Sequence, residues 1–194
     1  ADVNARTDNG FTTLMQACYS GNKEVVEYLI SLGVDVNART KNGETAFLQA
    51  SIYGEKELLE YLVSLDADFN VKTDYGYNGI FSACFRQEAL KYLIAIGVDI
   101  TSRDYRGWTV LMNAISLGMW IDNDTVKYLI SKGADINEVT AYGETAFMYA
   151  CQMRDINLVE YLVSLGADLY ARDNSGKTTL LYAIDTLNGP VIEY

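Results

Sequence analysis

Two kinds of apolar segment alternate along this chain. A short one, such as LMQAC from Leu14 to Cys18, is opened by a hydroxyl or amide side chain; a longer one, such as VVEYLISL from Val25 to Leu32, follows after a few polar residues and runs into glycine. Both repeat their apolar residues at helical spacing, so each pair predicts two helices. In the short segment, Leu14, Ala17 and Cys18 give a narrow buried face. Thr12, Thr45, Asn78, Thr109, Thr145 and Thr178 stand where an N-cap accepts an orphan backbone N–H. For the longer helix the pattern predicts caps at Asn22, Gly54 or Asp124 and a buried face of Val25, Val26, Tyr28, Leu29 and Leu32. Gly33, Gly97, Gly133 and Gly166 then stop that helix in the left-handed conformation, with Asp66 in the same slot once.

The alternation has a fixed period. Tyr28, Tyr61, Tyr92, Tyr128, Tyr161 and Tyr194 recur at intervals of about 33 residues, and the turn glycines Gly10, Gly43, Gly76, Gly107, Gly143 and Gly176 recur at the same set of intervals, with the short and long ones one step later. The pentapeptide GETAF occurs at Gly43 and again at Gly143 because those glycines stand three units apart. One unit is therefore used six times, each a turn, a short helix, a loop, a longer helix and an extended tail. The frame places the tail of a preceding unit at 1–6, then units at 7–39, 40–72, 73–103, 104–139, 140–172 and 173–194. The third is shortened, the fourth carries an insertion and the sixth is truncated. The shortened and lengthened loops suggest compensation, with Met119, Trp120 or Ile121 folding near Phe85. Ends cut within a unit are expected of a segment of a longer polypeptide.

These residues resemble the ankyrin repeat, a turn and two helices over 33 residues with the signature T-P-L-H-x-A. Here the signature stands as TTLMQA, TAFLQA, NGIFSA, TVLMNA, TAFMYA and TTLLYA, and the tails GVDVN, DADFN, GVDIT, GADIN and GADLY are similar to the family's GADVN. The resemblance implies an all-α solenoid of paired antiparallel helices with β-hairpin or turn fingers. Neither the Pro nor the His of the motif is present, and the chain has no His. The family's internal Thr-to-His bond is thus absent, and Met15, Leu48, Phe81, Met112, Met148 and Leu181 are expected to pack apolar surface in its place.

Charge and composition narrow the chemistry. A net charge of -11 opposes nucleic acid and anionic membranes, whose recognition rests on clustered Lys and Arg. No apolar run is long enough for a membrane span, and the first residues lack the pattern of a signal peptide. Cys18, Cys84 and Cys151 share one frame position after the first-helix Ala, which reads as small core residues. Units lie too far apart for these thiols to bond, and their reduced state favours the cytoplasm. Without His or a CxxC pair no zinc site is expected, and a Ser or Cys nucleophile lacks its usual base. The expectation is no catalytic residue, no metal and no cofactor.

What remains is the aromatic content that escapes the period. The periodic tyrosines read as core, whereas Phe11, Tyr75, Tyr77, Tyr105, Trp108 and Tyr142 fall on turn and first-helix positions that the family turns towards partners. With Arg86 and Arg106 they make the Tyr, Trp and Arg mixture of interface hot spots. The candidate partner-binding residues are Tyr75, Tyr77, Arg86, Tyr105, Arg106, Trp108 and Tyr142, expected to form an exposed patch outside the inter-repeat core. The competing reading is that finger aromatics stack on one another between hairpins. Basic residues closing the units, Arg6, Arg39, Lys72, Arg103 and Arg172, interrupted by Val139, either attract an acidic strip or pair with neighbouring Asp. The expectation is a monomeric, non-enzymatic module binding a protein partner on its concave hairpin and first-helix face. Its rival is a substrate-recruiting array for an enzyme or effector whose catalytic domain lies outside this segment.

Overall fold

The computed structural model describes residues 2–118, 123–153 and 155–185. The proposed contact of Met119, Trp120 or Ile121 with Phe85 lies outside them. The fold is all-α, with eleven helices among the described residues. It divides into two compact units, Ala1–Ser102 and Arg103–Tyr194.

The first unit holds α1 (Thr13–Tyr19), α2 (Lys23–Ser31), α3 (Ala46–Tyr53), α4 (Lys56–Ser64), α5 (Gly79–Ala83) and α6 (Gln87–Ala95). The second holds α7 (Val110–Ser116), α8 (Asn123–Ser131), α9 (Ala146–Gln152), α10 (Ile156–Ser164) and α11 (Thr179–Asp185). Within the first unit, α1 packs on α3 and α3 on α5, and each also packs on the helix that follows it. In the second, α9 packs on both α7 and α11. Links as short as the three residues between Tyr19 and Lys23 force the chain to reverse, so each pair is antiparallel.

Helix starts follow the sequence closely. The hydroxyls of Thr12, Thr45, Thr109 and Thr145 accept the backbone N–H three residues on, and Thr178 does the same for Leu181. At Met15 and Met148 the thioether sulfur takes the N–H of the capping Thr at 3.5 Å, so methionine supplies an acceptor as well as apolar bulk. Asn78 departs from the pattern: its amide donates to the Asp99 carbonyl and the Ser102 hydroxyl rather than capping α5. Among second helices, Asn22 caps α2. Gly54 instead ends α3 in the left-handed conformation while Glu55 precedes α4, and Asp124 lies within the first turn of α8. Asp155 caps α10.

The core is the seam between helices. Leu14, Met15, Ala50, Met112, Ala114 and Met148 are buried, as are Val26, Leu29, Leu62 and Leu162 on the second helices. Leu181, the counterpart of Met148, is 44% exposed. Among the described residues the periodic tyrosines are not core. Tyr28 is 64% exposed, and Tyr61, Tyr92, Tyr128 and Tyr161 are half-buried. Each precedes a buried Leu, and one residue is about 100° around a helix, so the ring turns to the rim. Val25, one residue before buried Val26, is exposed for the same reason, and Leu32 is exposed at the end of α2, beyond its last residue. At the rim the rings staple neighbours: the Lys23 ammonium on α2 lies over Tyr61 on α4, and that of Lys127 on α8 over Tyr161 on α10. Cys18, Cys84 and Cys151 are buried, and burial pushes the Cys18 and Cys151 thiols up to about 12.

Candidate functional site

Each turn is closed by backbone bonds around its glycine, and isolated antiparallel bridges such as Arg103 to Thr109 and Val139 to Thr145 frame it. At Gly107 φ is +78°, and a Cβ would lie 2.9 Å from the Ala141 backbone nitrogen, so conformation and the next hairpin's approach both require glycine. Neighbouring tips are joined by main-chain bonds: Lys41 N–H to Asn9, Asp74 to Asn42, Ala141 to Arg106 and Asn174 to Tyr142. Of the tip side chains, that of Asn174 adds a bond to the Ala141 carbonyl at 3.0 Å.

In the first unit Tyr75 points outward, 49% exposed. Tyr77 is half-buried, its ring edge-to-face with buried Phe81 at 5.3 Å. Arg86 is not at a hairpin. It lies beyond the far end of α5, where its Nε donates to the Tyr53 carbonyl at the end of α3 and its methylenes pack on Gly54.

In the second unit Tyr105 and Tyr142 are 67% and 59% exposed. Trp108 is half-buried, its ring 4.7 Å from that of Tyr149 on the next first helix. The expectation that Tyr77 and Trp108 stand clear of the packing is corrected here: both are anchored to first-helix aromatics. Arg106 lies over the rings of Tyr105 and Trp108, and its Nε pairs with buried Asp104 at 3.1 Å. Asp104 also accepts the backbone N–H of Arg106 and of Trp108, which fixes the turn.

Behind these residues runs a network the sequence reading missed. The Tyr149 hydroxyl donates to Glu144 at 2.5 Å, and Thr140 donates to the same oxygen at 3.1 Å. The Tyr182 hydroxyl lies 2.8 Å from Asp173 and 3.2 Å from the second Glu144 oxygen. Burial first, then the bond to Glu144, raises the Tyr149 phenol above its ordinary range; burial and Asp173 do the same for Tyr182. The Ser175 hydroxyl, foremost among several donors, holds the Asp173 carboxyl down at about 2. The Lys177 ammonium lies over the Tyr182 ring, 4.0 Å from its centroid. One signal was available in the sequence: Tyr149 and Tyr182 stand where earlier first helices carry Gln16, Gln49, Ser82 and Asn113.

Four of the basic residues that close the units bind to the protein itself. Arg39 donates to the Lys72 carbonyl, Lys72 pairs with Asp99 at 3.2 Å, Arg103 pairs with Glu138, and Arg172 donates to the Gly176 carbonyl. Among the described residues no helix is long and apolar enough to cross a membrane.

Comparison with curated proteins gives no match. The family model for ankyrin repeats matches in three copies, over residues 1–73, 65–140 and 119–194. On that match along its length, the chain belongs to the ankyrin-repeat family.

Proposed function

We propose that this chain is a non-enzymatic, monomeric module that binds a protein partner through its hairpin tips and the adjoining face of its first helices. Ankyrin repeats are in general protein–protein interaction modules. The observations that carry the choice of surface are the outward placement of Tyr75 at a turn of the first unit and of Tyr105 and Tyr142 at successive turns of the second. Large exposed aromatics at positions whose neighbours are held by main-chain bonds offer contact area with little ordering cost. Tyr77, Arg106 and Trp108 support these tips from beneath, and Arg86 is a lesser contributor because it already closes α3.

The test replaces Tyr75, Tyr105 and Tyr142 together by Ala, since truncating Tyr77 or Trp108 would also disturb packing. Capture of the partner from native lysate, identified by mass spectrometry, is expected to weaken at least tenfold, about 1.4 kcal/mol. The melting temperature should change little. A control variant, Glu27→Ala with Glu60→Ala on the second helices, should retain capture. Loss of the partner by the control, with retention by the tyrosine variant, would overturn the assignment of the surface.

A further inference from the structure

We infer that the first unit carries a second docking surface, at the opposite end of its first helices from the tips, and that it receives an amphipathic α-helix with a basic flank. Tyr19, Ile52 and Phe85 each stand two residues after the signature Ala, at the C-terminal ends of α1, α3 and α5, and are 51%, 44% and 50% exposed. Because α1 packs on α3 and α3 on α5, these side chains form a row across the unit. In the second unit the same frame positions hold Ser116, Gln152 and Asp185, so the repeat itself does not call for apolar residues there. A contiguous row of large apolar side chains left in water marks an interaction site rather than a packing need.

Across the short loops that follow, the second helices open with a row of acids. Glu24, Glu57 and Glu88 are exposed at the second position of α2, α4 and α6, and Glu55 adds a carboxylate just before α4. In the second unit that slot holds Asp124 in α8 and Asn157 in α10. Glu88 pairs with Lys91 at 3.0 Å, whereas Glu24, Glu55 and Glu57 have no ion pair among the described residues. The cations close by are engaged: Lys23 pairs with Glu27, Lys56 with Glu60, and the Nε of Arg86 donates to the Tyr53 carbonyl. An apolar row edged by unpaired acids complements a segment whose apolar stripe is edged by Lys or Arg, and a net charge of -11 draws such a segment in.

The spacing suits a helix. Helices packed side by side lie about 8–10 Å apart, and two turns of an α-helix rise about 10.8 Å, so apolar side chains seven residues apart on the partner meet successive members of the row. A β-strand returns a side chain to one face about every 6.7 Å and falls out of step. A helix also carries its apolar stripe and its basic flank side by side along its whole length, as the two rows require.

The probe is a phage library of peptides with Leu fixed at every seventh position and all other positions random, selected on the whole chain. Selected peptides are expected to carry Lys or Arg along one side of the Leu stripe. Their affinity, read by fluorescence anisotropy, should fall at least tenfold when Tyr19→Ser, Ile52→Gln and Phe85→Ser are combined, with each single variant showing part of the loss. It should fall at least threefold on Glu24→Gln with Glu57→Gln, and at least tenfold when a proline is placed in the middle of the peptide, away from the Leu stripe. Melting temperatures should change little, since every replaced side chain lies at the surface. Replacing Tyr75, Tyr105 and Tyr142 by Ala should leave this binding intact, so failure here and failure of the tip assignment are separate results. No enrichment, or peptides indifferent to the apolar row, would overturn the surface. Indifference to Glu24 and Glu57 would overturn the basic flank, and tolerance of proline would overturn the helix.

Discussion

Asp66 ends α4 with φ at +58°, the one described residue other than glycine that adopts a positive φ. Its counterparts Gly33, Gly97, Gly133 and Gly166 reach that conformation without a Cβ, whereas an L side chain there costs about 1–2 kcal/mol, less for Asp and Asn. Its carbonyl accepts the side-chain amide of Asn37, a bond that glycine would keep. Asp66→Gly is therefore expected to stabilise the protein by about 0.5–1 kcal/mol, read as a higher denaturation midpoint at unchanged slope. Positions of this kind were legible in the sequence because their demands are local: a cap needs one oxygen and a left-handed residue needs the absence of a Cβ. Tyr149 and Tyr182 were not, since what each hydroxyl does depends on how its own turn folds back over the helix with Glu144 or Asp173, and for Tyr182 also on Glu144 of the preceding turn.

At the scale of the element, the first helices approach one another through small residues. Ala50 in α3 and Ala114 in α7 are buried completely or nearly so, at 0% and 1% exposure. Ala50→Leu and Ala114→Leu should each cost about 1–3 kcal/mol by overpacking the seam, measured by chemical denaturation. An unchanged midpoint for both would mean that the seam lies elsewhere on these helices. The seam was readable from the recurring Ala of the signature. The rim was not, because Tyr28 and Leu29 are equally apolar in sequence and only their angle about α2 separates an exposed ring from a buried side chain. Helix α5 shows the limit of the capping rule: Asn78 has an eligible side chain, yet its NH2 group is held by the Asp99 carbonyl and the Ser102 hydroxyl, and its carbonyl oxygen takes no helix N–H.

For the molecule as a whole, stability is gathered from nearest neighbours, so damage should stay where it is made. Gly143→Ala places a side chain at φ +80° and a Cβ 3.0 Å from the Asn174 backbone nitrogen. Hydrogen exchange is expected to quicken around residues 140–185 while α1 to α4 keep their protection. Faster exchange in α1 to α4 would show one cooperative fold instead. The period and family were legible across the full chain because every unit repeats the same local demands. The tips differ, since Asn9, Asn42, Arg106 and Tyr142 each offer the next hairpin only a backbone carbonyl. A carbonyl is common to all twenty amino acids, so that bond does not register which side chain its residue carries. Each unit thus separates its joints from its outermost side chains, and tips such as Tyr75, Tyr105 and Tyr142 can be exchanged, by mutation or by grafting, while the hairpin that carries each keeps its place beside its neighbour.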